Sequence, residues 1–202
     1  LVTPATYLNT PAKKLGSHLE KLADLFDRME AAYDRVAADY GFQCKGCEDN
    51  CCLTLFFHHT LLEYLYLYRG YVQLPAEERD RLHQAALQVN RELARSQENG
   101  ETVRIMCPLN RDGSCTLYHY RPMICRLHGI PNEMRRPAGE APTRGPGCGD
   151  FDRQCGDHPY IPFDRTPLYM EMAQLEKALR EELSFNEKTR LTVAQMIAGF
   201  PA

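Results

Sequence analysis

The segment CKGCEDNCC, residues 44–52, places four cysteines in nine positions and ends on two adjacent ones. Thiols this dense are paired as disulfides, shared around a metal or poised for redox chemistry, and each use restricts the fold around them. The two-residue gap lets a tight turn aim Cys44 and Cys47 at one centre, as in zinc knuckles and ferredoxin loops. Cys51 stays on that side if the segment is helical, because positions four apart share a face. Cys52 does not, since neighbouring side chains diverge by about 100° on a helix and point to opposite faces of a strand. The doublet therefore signals two neighbouring sites, or one ligand beside a bystander. The expected shared centre is Cys44, Cys47 and Cys51, completed by a sulfur from farther along the chain.

That sulfur has candidates in CPLNRDGSCTLYHYRPMICRLHG, residues 107–129. Cys107, Cys115 and Cys125 lie eight and ten residues apart, so the fold rather than one turn must bring them together. Cys107 precedes a proline, as the last cysteine of many ferredoxin motifs does. Arg121 and Arg126 are placed to donate hydrogen bonds to thiolate or sulfide and to offset the charge of a sulfur-rich centre. Taken singly, each arginine reads equally well as a surface charge.

Nine cysteines in 202 residues is about half the density of a disulfide-built secreted scaffold, and the odd count leaves one thiol over. A chain of this length buries a core without disulfide staples, and one domain spanning 1–202 is expected. The 24 basic and 27 acidic residues are interspersed, with no basic run to follow a phosphate backbone, so nucleic acid is not the expected partner. No apolar stretch approaches the ~20 residues of a membrane span, and the first residues lack the basic-then-apolar order of a signal peptide. The expected location is the cytoplasm, where clustered thiols bind metal more often than they pair.

Apolar periodicity divides the rest into helices. From Ser17 as N-cap to Gly41, residues Leu19, Leu22, Phe26, Met29, Tyr33, Val36 and Tyr40 recur at three- and four-residue steps. Thr60 caps a short buried helix rich in Leu and Tyr, and Pro75 opens a more solvated one with Leu82, Ala86, Val89 and Leu93 on one stripe. The Asp112–Gly113 turn predicts a small hairpin carrying Cys107 and Cys115. Residues 129–167 are dense in Gly and Pro without an apolar face and read as a long loop, pinned through Cys148 and Cys155 by ligation. Helices over 166–183 and after Thr192, with Gln195 completing a capping box, close the chain. The expected fold is mainly α: a small helical domain with irregular cysteine-rich loops and one short hairpin, organised around a metal centre.

Seven histidines are present. His58, His59 and His128 lie close enough to the cysteine blocks to complete a mixed Cys/His site, but exposed or hydrogen-bonded histidines greatly outnumber ligands. Glu48 and Asp49 read as loop carboxylates, and the Tyr64, Tyr66, Tyr68 and Tyr71 set as a packed helix face. No nucleophile elbow, Walker A, H-E-x-x-H or dinucleotide fingerprint occurs, so hydrolase, nucleotidase and ordinary dehydrogenase functions lack support.

Residues 44–52 and 107–128 together resemble the YkgJ-like cysteine-cluster family, described as zinc- or iron-chelating and sharing a domain with flagellin lysine methylases. The matching residues are Cys44, Cys47, Cys51 and Cys52, then Cys107, the DGSCTLYHYRPMICR segment with Cys115, Arg121, Pro122, Cys125 and Arg126, and Cys148 followed by glycine. The resemblance implies eight metal-associated cysteines, and Cys155 lies outside it. Closed zinc sites usually carry two C-x2-C pairs and this chain has one, so a [4Fe-4S] cluster is expected ahead of zinc. The expected role is electron transfer or metal handling with a redox or protein partner that the sequence does not identify. The alternative is a cluster-dependent enzyme, such as a protein lysine methyltransferase using S-adenosylmethionine at an open iron, although the C-x3-C-x2-C order of radical enzymes is reversed here. A disulfide-bonded secreted protein is the third and weakest reading.

Overall fold

In the computed structural model the described residues are 4–10, 12–44, 51–100, 104–135 and 141–201. They form seven α-helices and two small antiparallel strand pairs, the mainly helical architecture expected. Helix α1 spans Ala12–Tyr40, α2 Leu61–Tyr71, α3 Ala76–Glu98, α4 Met123–Leu127, α5 Gly149–Cys155, α6 Thr166–Leu183 and α7 Val193–Ala198. Strands β1 (Asn110–Arg111) and β2 (Ser114–Cys115) pair, as do β3 (Asn132–Met134) and β4 (Thr143–Gly145). None of these helices is long and apolar enough to cross a membrane.

Helix α1 supplies one wall of the core through Leu22, Leu25, Phe26 and Met29, all essentially inaccessible to solvent. It packs on α2, α4 and α6, while α3 lies against α7. The helix begins five residues before the expected Ser17 cap. Leu15 extends the buried stripe by one more step, and that apolar contact carries the helix past a residue that would otherwise cap it. The last helix keeps its predicted capping box: Gln195 N donates to Thr192 Oγ1 (3.1 Å) and Thr192 N to Gln195 Oε1 (2.9 Å).

Helix α2 is buried on nearly every face, so water does not satisfy its first amides. Protein groups do so instead. Leu61 N and Leu62 N donate to the two oxygens of the buried Glu176 carboxylate (2.8 and 3.0 Å), and Glu63 N donates to Thr60 Oγ1 (3.1 Å). A carboxylate at this end also complements the positive helix terminus.

The predicted hairpin is present as β1–β2, with Asn110 opposite Cys115, but Cys107, expected on it, lies three residues before β1. Asp112 (φ 52°) and Gly113 (φ 84°) both take left-handed conformations, the pattern of a two-residue type I′ turn. Residues 129–167, expected as a loop without regular structure, instead contain β3, β4 and α5. Each of these elements is three to seven residues long, too short for apolar periodicity to emerge from a Gly- and Pro-rich background.

Candidate metal centre

Residues Cys51–Leu53 form a single 3-10 turn, and Cys52 O accepts a hydrogen bond from Cys107 N (2.9 Å). That bond joins the two cysteine blocks directly. The β1–β2 hairpin then presents Cys115, and the first turns of α4 present Cys125. Cys148 enters from farther along the chain, its amide donating to Gly129 O (2.9 Å). Its sulfur caps α5, accepting from Phe151 N at 3.4 Å. Gly129 sits at φ 125°, and a Cβ there would lie 2.6 Å from the Tyr33 hydroxyl, so glycine alone permits this approach.

Seven thiols line one cavity of about 1010 Å³: Cys44, Cys51, Cys52, Cys107, Cys115, Cys125 and Cys148. Cys47 lies outside the described residues. None of the eight described cysteines is in a disulfide. Cys155 is apart from the cavity lining, buried in the core with its sulfur donating to Tyr40 O (3.4 Å). The 129–167 segment is thus held by this hydrogen bond and by core packing at Cys155, whereas Cys148 reaches the cavity.

Electrostatic influence links these thiols. Burial pushes Cys125 well above the usual thiol range, and negative charge on Cys107, Cys115, Cys52 and Glu63 adds to the effect. Burial likewise raises Cys107, to about 12, with contributions from Cys52 and Cys115. Cys115 is raised by burial, opposed by the Leu117 amide and by the charges of Arg121 and Arg126. The neighbours that raise Tyr33, after burial, are Cys44, Cys148 and Cys51. Charge on Cys52 thus acts on Cys107, Cys115 and Cys125, while Cys51 feels Cys52, Cys125 and Cys44. The two adjacent thiols share a hydrogen bond that raises Cys51 and lowers Cys52.

Arg126 is 4 % exposed and spends its donors within the protein. Its Nε donates to Arg121 O (2.9 Å), one terminal nitrogen to His119 O (2.5 Å) and the other to Glu30 of α1. The guanidinium lies 4.2 Å over the Phe26 ring. Arg121 stacks 3.6 Å above Tyr118 and pairs with Glu30 at 3.2 Å, leaving its buried Nε without a hydrogen-bond partner. Both cations reach the thiols through charge. Glu63, 5 % exposed, accepts from Met123 N (2.9 Å) and Thr60 Oγ1 (2.6 Å), fixing the start of the helix that carries Cys125. His58 lines the cavity, as does His128, whose ring packs edge-on to Phe56. His59 is exposed.

Glu30, Tyr33 and Glu63 were not singled out by the sequence. Only Glu63 carried a local signal, lying three residues after the Thr60 cap in a Thr-x-x-Glu pattern. The donor set suits a metal centre. Sulfur ligands are soft and fit zinc or iron, and a cation would favour the thiolates that burial disfavours. Among the described residues, however, no three His, Cys, Asp or Glu side chains are gathered tightly enough to hold a single ion.

Residues 43–141 match a family model, CxxCxxCC, described as "Putative zinc- or iron-chelating domain". The match contains seven of the nine cysteines and stops before Cys148 and Cys155. No curated protein and no solved structure matches the chain. The cavity of clustered thiols, joined at Cys52 and Cys107 within the matched span, agrees with that description: over residues 43–141 the chain is similar to the CxxCxxCC family.

Proposed function

We propose that this protein holds an iron–sulfur cluster, [4Fe-4S] in preference to zinc, through its clustered cysteines and serves in electron transfer or metal handling. The observation that carries the proposal is the lining of one cavity by seven thiols from separate chain segments. Seven thiols exceed the four that one tetrahedral ion takes, and soft sulfur ligands suit a group of several iron atoms. Cys44, Cys47, Cys51, Cys52, Cys107, Cys115, Cys125 and Cys148 are the candidate ligands, from which one [4Fe-4S] cluster would take four. The group would supply one-electron chemistry. The protein's own part is to bring buried sulfurs to one place, to hold Arg121 and Arg126 where their charge offsets that of the thiolates, and to limit water.

Iron, acid-labile sulfide and zinc measured per chain after anaerobic purification, in wild type, Cys125→Ser and Cys155→Ser, test this reading. Wild type and Cys155→Ser should carry iron and sulfide in similar amounts, and Cys125→Ser should lose most of both. Zinc without sulfide in wild type, or equal loss in both variants, would count against it.

A further inference from the structure

We infer that His58, through Nε2, is a non-cysteine ligand to the metal group held in the thiol cavity, with Glu63 orienting its ring. The inference rests on the reading of that cavity as a metal site and adds a residue that neither cysteine spacing nor the family description assigns. His58 is 3 % exposed and forms part of the cavity wall, yet its buried Nε2 has no hydrogen-bond partner. Burying a polar nitrogen without a partner is costly, and a metal ligand is one of the few roles that requires the lone pair to stay free. Its backbone is clamped, with His58 N donating to Leu191 O (2.8 Å) and Leu191 N to His58 O (3.0 Å), so the side chain has little freedom to turn elsewhere.

The second nitrogen faces Glu63. Nδ1 lies 3.9 Å from Glu63 Oε1, and both side chains are buried. The observed partners of Glu63, Met123 N and Thr60 Oγ1, all donate to it, so the carboxylate acts as an acceptor. An acceptor on that side favours the tautomer with its proton on Nδ1, which leaves the Nε2 lone pair for coordination. At 3.9 Å the contact is not a hydrogen bond, and its shortening on metal binding would give the carboxylate–histidine–metal arrangement that orients ligating imidazoles. Glu63 also lines a second cavity, of about 1060 Å³, and not the thiol cavity, whereas His58 borders both. With Nδ1 turned toward Glu63, Nε2 leaves the ring on its far side, away from that carboxylate. The same Glu63 fixes Met123, two residues before Cys125, so one carboxylate sets both a thiol and an imidazole. Coordination moves no proton: Nδ1 keeps its hydrogen and Nε2 gives its lone pair.

The experiment is 15N NMR of histidine-labelled protein, purified anaerobically with its metal and again after stripping by acid and chelator, with metal content measured in each sample. One Nε2 resonance should differ between the two states by tens of ppm, return on reloading, and be absent from His58→Gln. If His58→Gln does not fold, persistence of the shifted signal in both His59→Gln and His128→Gln supports the same assignment. Metal retained with no histidine resonance moved would overturn the role of His58 and leave the cysteine reading standing. A chain that retains no metal would overturn both.

Discussion

The helical frame and the cysteine-bearing segments are stabilised in different ways. In the frame, α1, α2 and α6 bury large apolar side chains against one another, α7 packs on α3, and the first turns of α2 and α7 are closed by partners within the protein. Around the cavity, residues 104–129 and 141–155 have short elements; Leu109, Leu117, Leu127 and Phe151 tie them to the core, but they also bury Arg126 and line the cavity with half-buried thiols. Apolar burial works with or without a cofactor. Buried thiols are neutral when protonated and favourable as thiolates only beside a cation, so the second region depends on what it binds. The frame should therefore be indifferent to metal, and the thiol region should not.

Breaking the frame should give the largest effects. Leu25→Ala and Leu67→Ala, both fully buried, should each cost about 3–5 kcal/mol in urea unfolding, equally for metal-loaded and stripped protein. A markedly smaller cost in the stripped form would mean that the frame is not independent.

The pH dependence separates the regions next. Burial holds His58 down to about 4 from an ordinary 6.5. The unfolded chain takes up this proton below 6.5 and the folded chain does not until about 4, so stability should fall as pH drops through that window, by about 3 kcal/mol in total. Urea midpoints at pH 7, 5.5 and 4.5 measure this, and His58→Gln should flatten the slope. At the alkaline end the sign reverses. Cys107, Cys115 and Cys125 are raised by burial, so the unfolded thiols ionise first and the stripped protein should lose stability as pH rises above about 9. Loaded protein, whose thiolates are already formed, should lack that loss.

Smaller changes probe the joint between the two. Arg126→Gln removes a buried cation from Glu30 and two carbonyls and should cost about 2–3 kcal/mol, with reduced metal retention, because α4 is tied to α1 through that side chain. Gly129→Ala should cost about 1–3 kcal/mol, since it strains a left-handed position and crowds Tyr33. Thr192→Ala should cost about 1 kcal/mol with metal content unchanged, as the Thr192 hydroxyl, although at the cavity wall, is engaged by the cap.

The same division explains what could be read from the residues. The bounds of α6, Thr166–Leu183, and the Thr60 and Thr192 caps follow from periodicity and capping chemistry, both local properties. The start of α1 did not, because the tertiary contact of Leu15 outweighs the cap preference of Ser17. Within 129–167 the elements exist by pairing at a distance, such as Glu133 N to Phe163 O and Cys155 to Tyr40, which leaves no local pattern. At the candidate site, cysteine density pointed to the cavity. The joining of the two cysteine blocks was not legible, because it depends on the hydrogen bond between Cys107 and Cys52. Glu30 and Tyr33 obey the ordinary pattern of their helix, so nothing in the sequence distinguishes them.

The most direct measurement is iron K-edge and zinc K-edge X-ray absorption on wild-type protein isolated without oxygen, read together with acid-labile sulfide. Iron is expected in a sulfur-dominated shell with a minor nitrogen contribution, short iron–iron scattering and sulfide in proportion to iron. Zinc in a four-sulfur shell with no sulfide, or no bound metal at either edge, would contradict it.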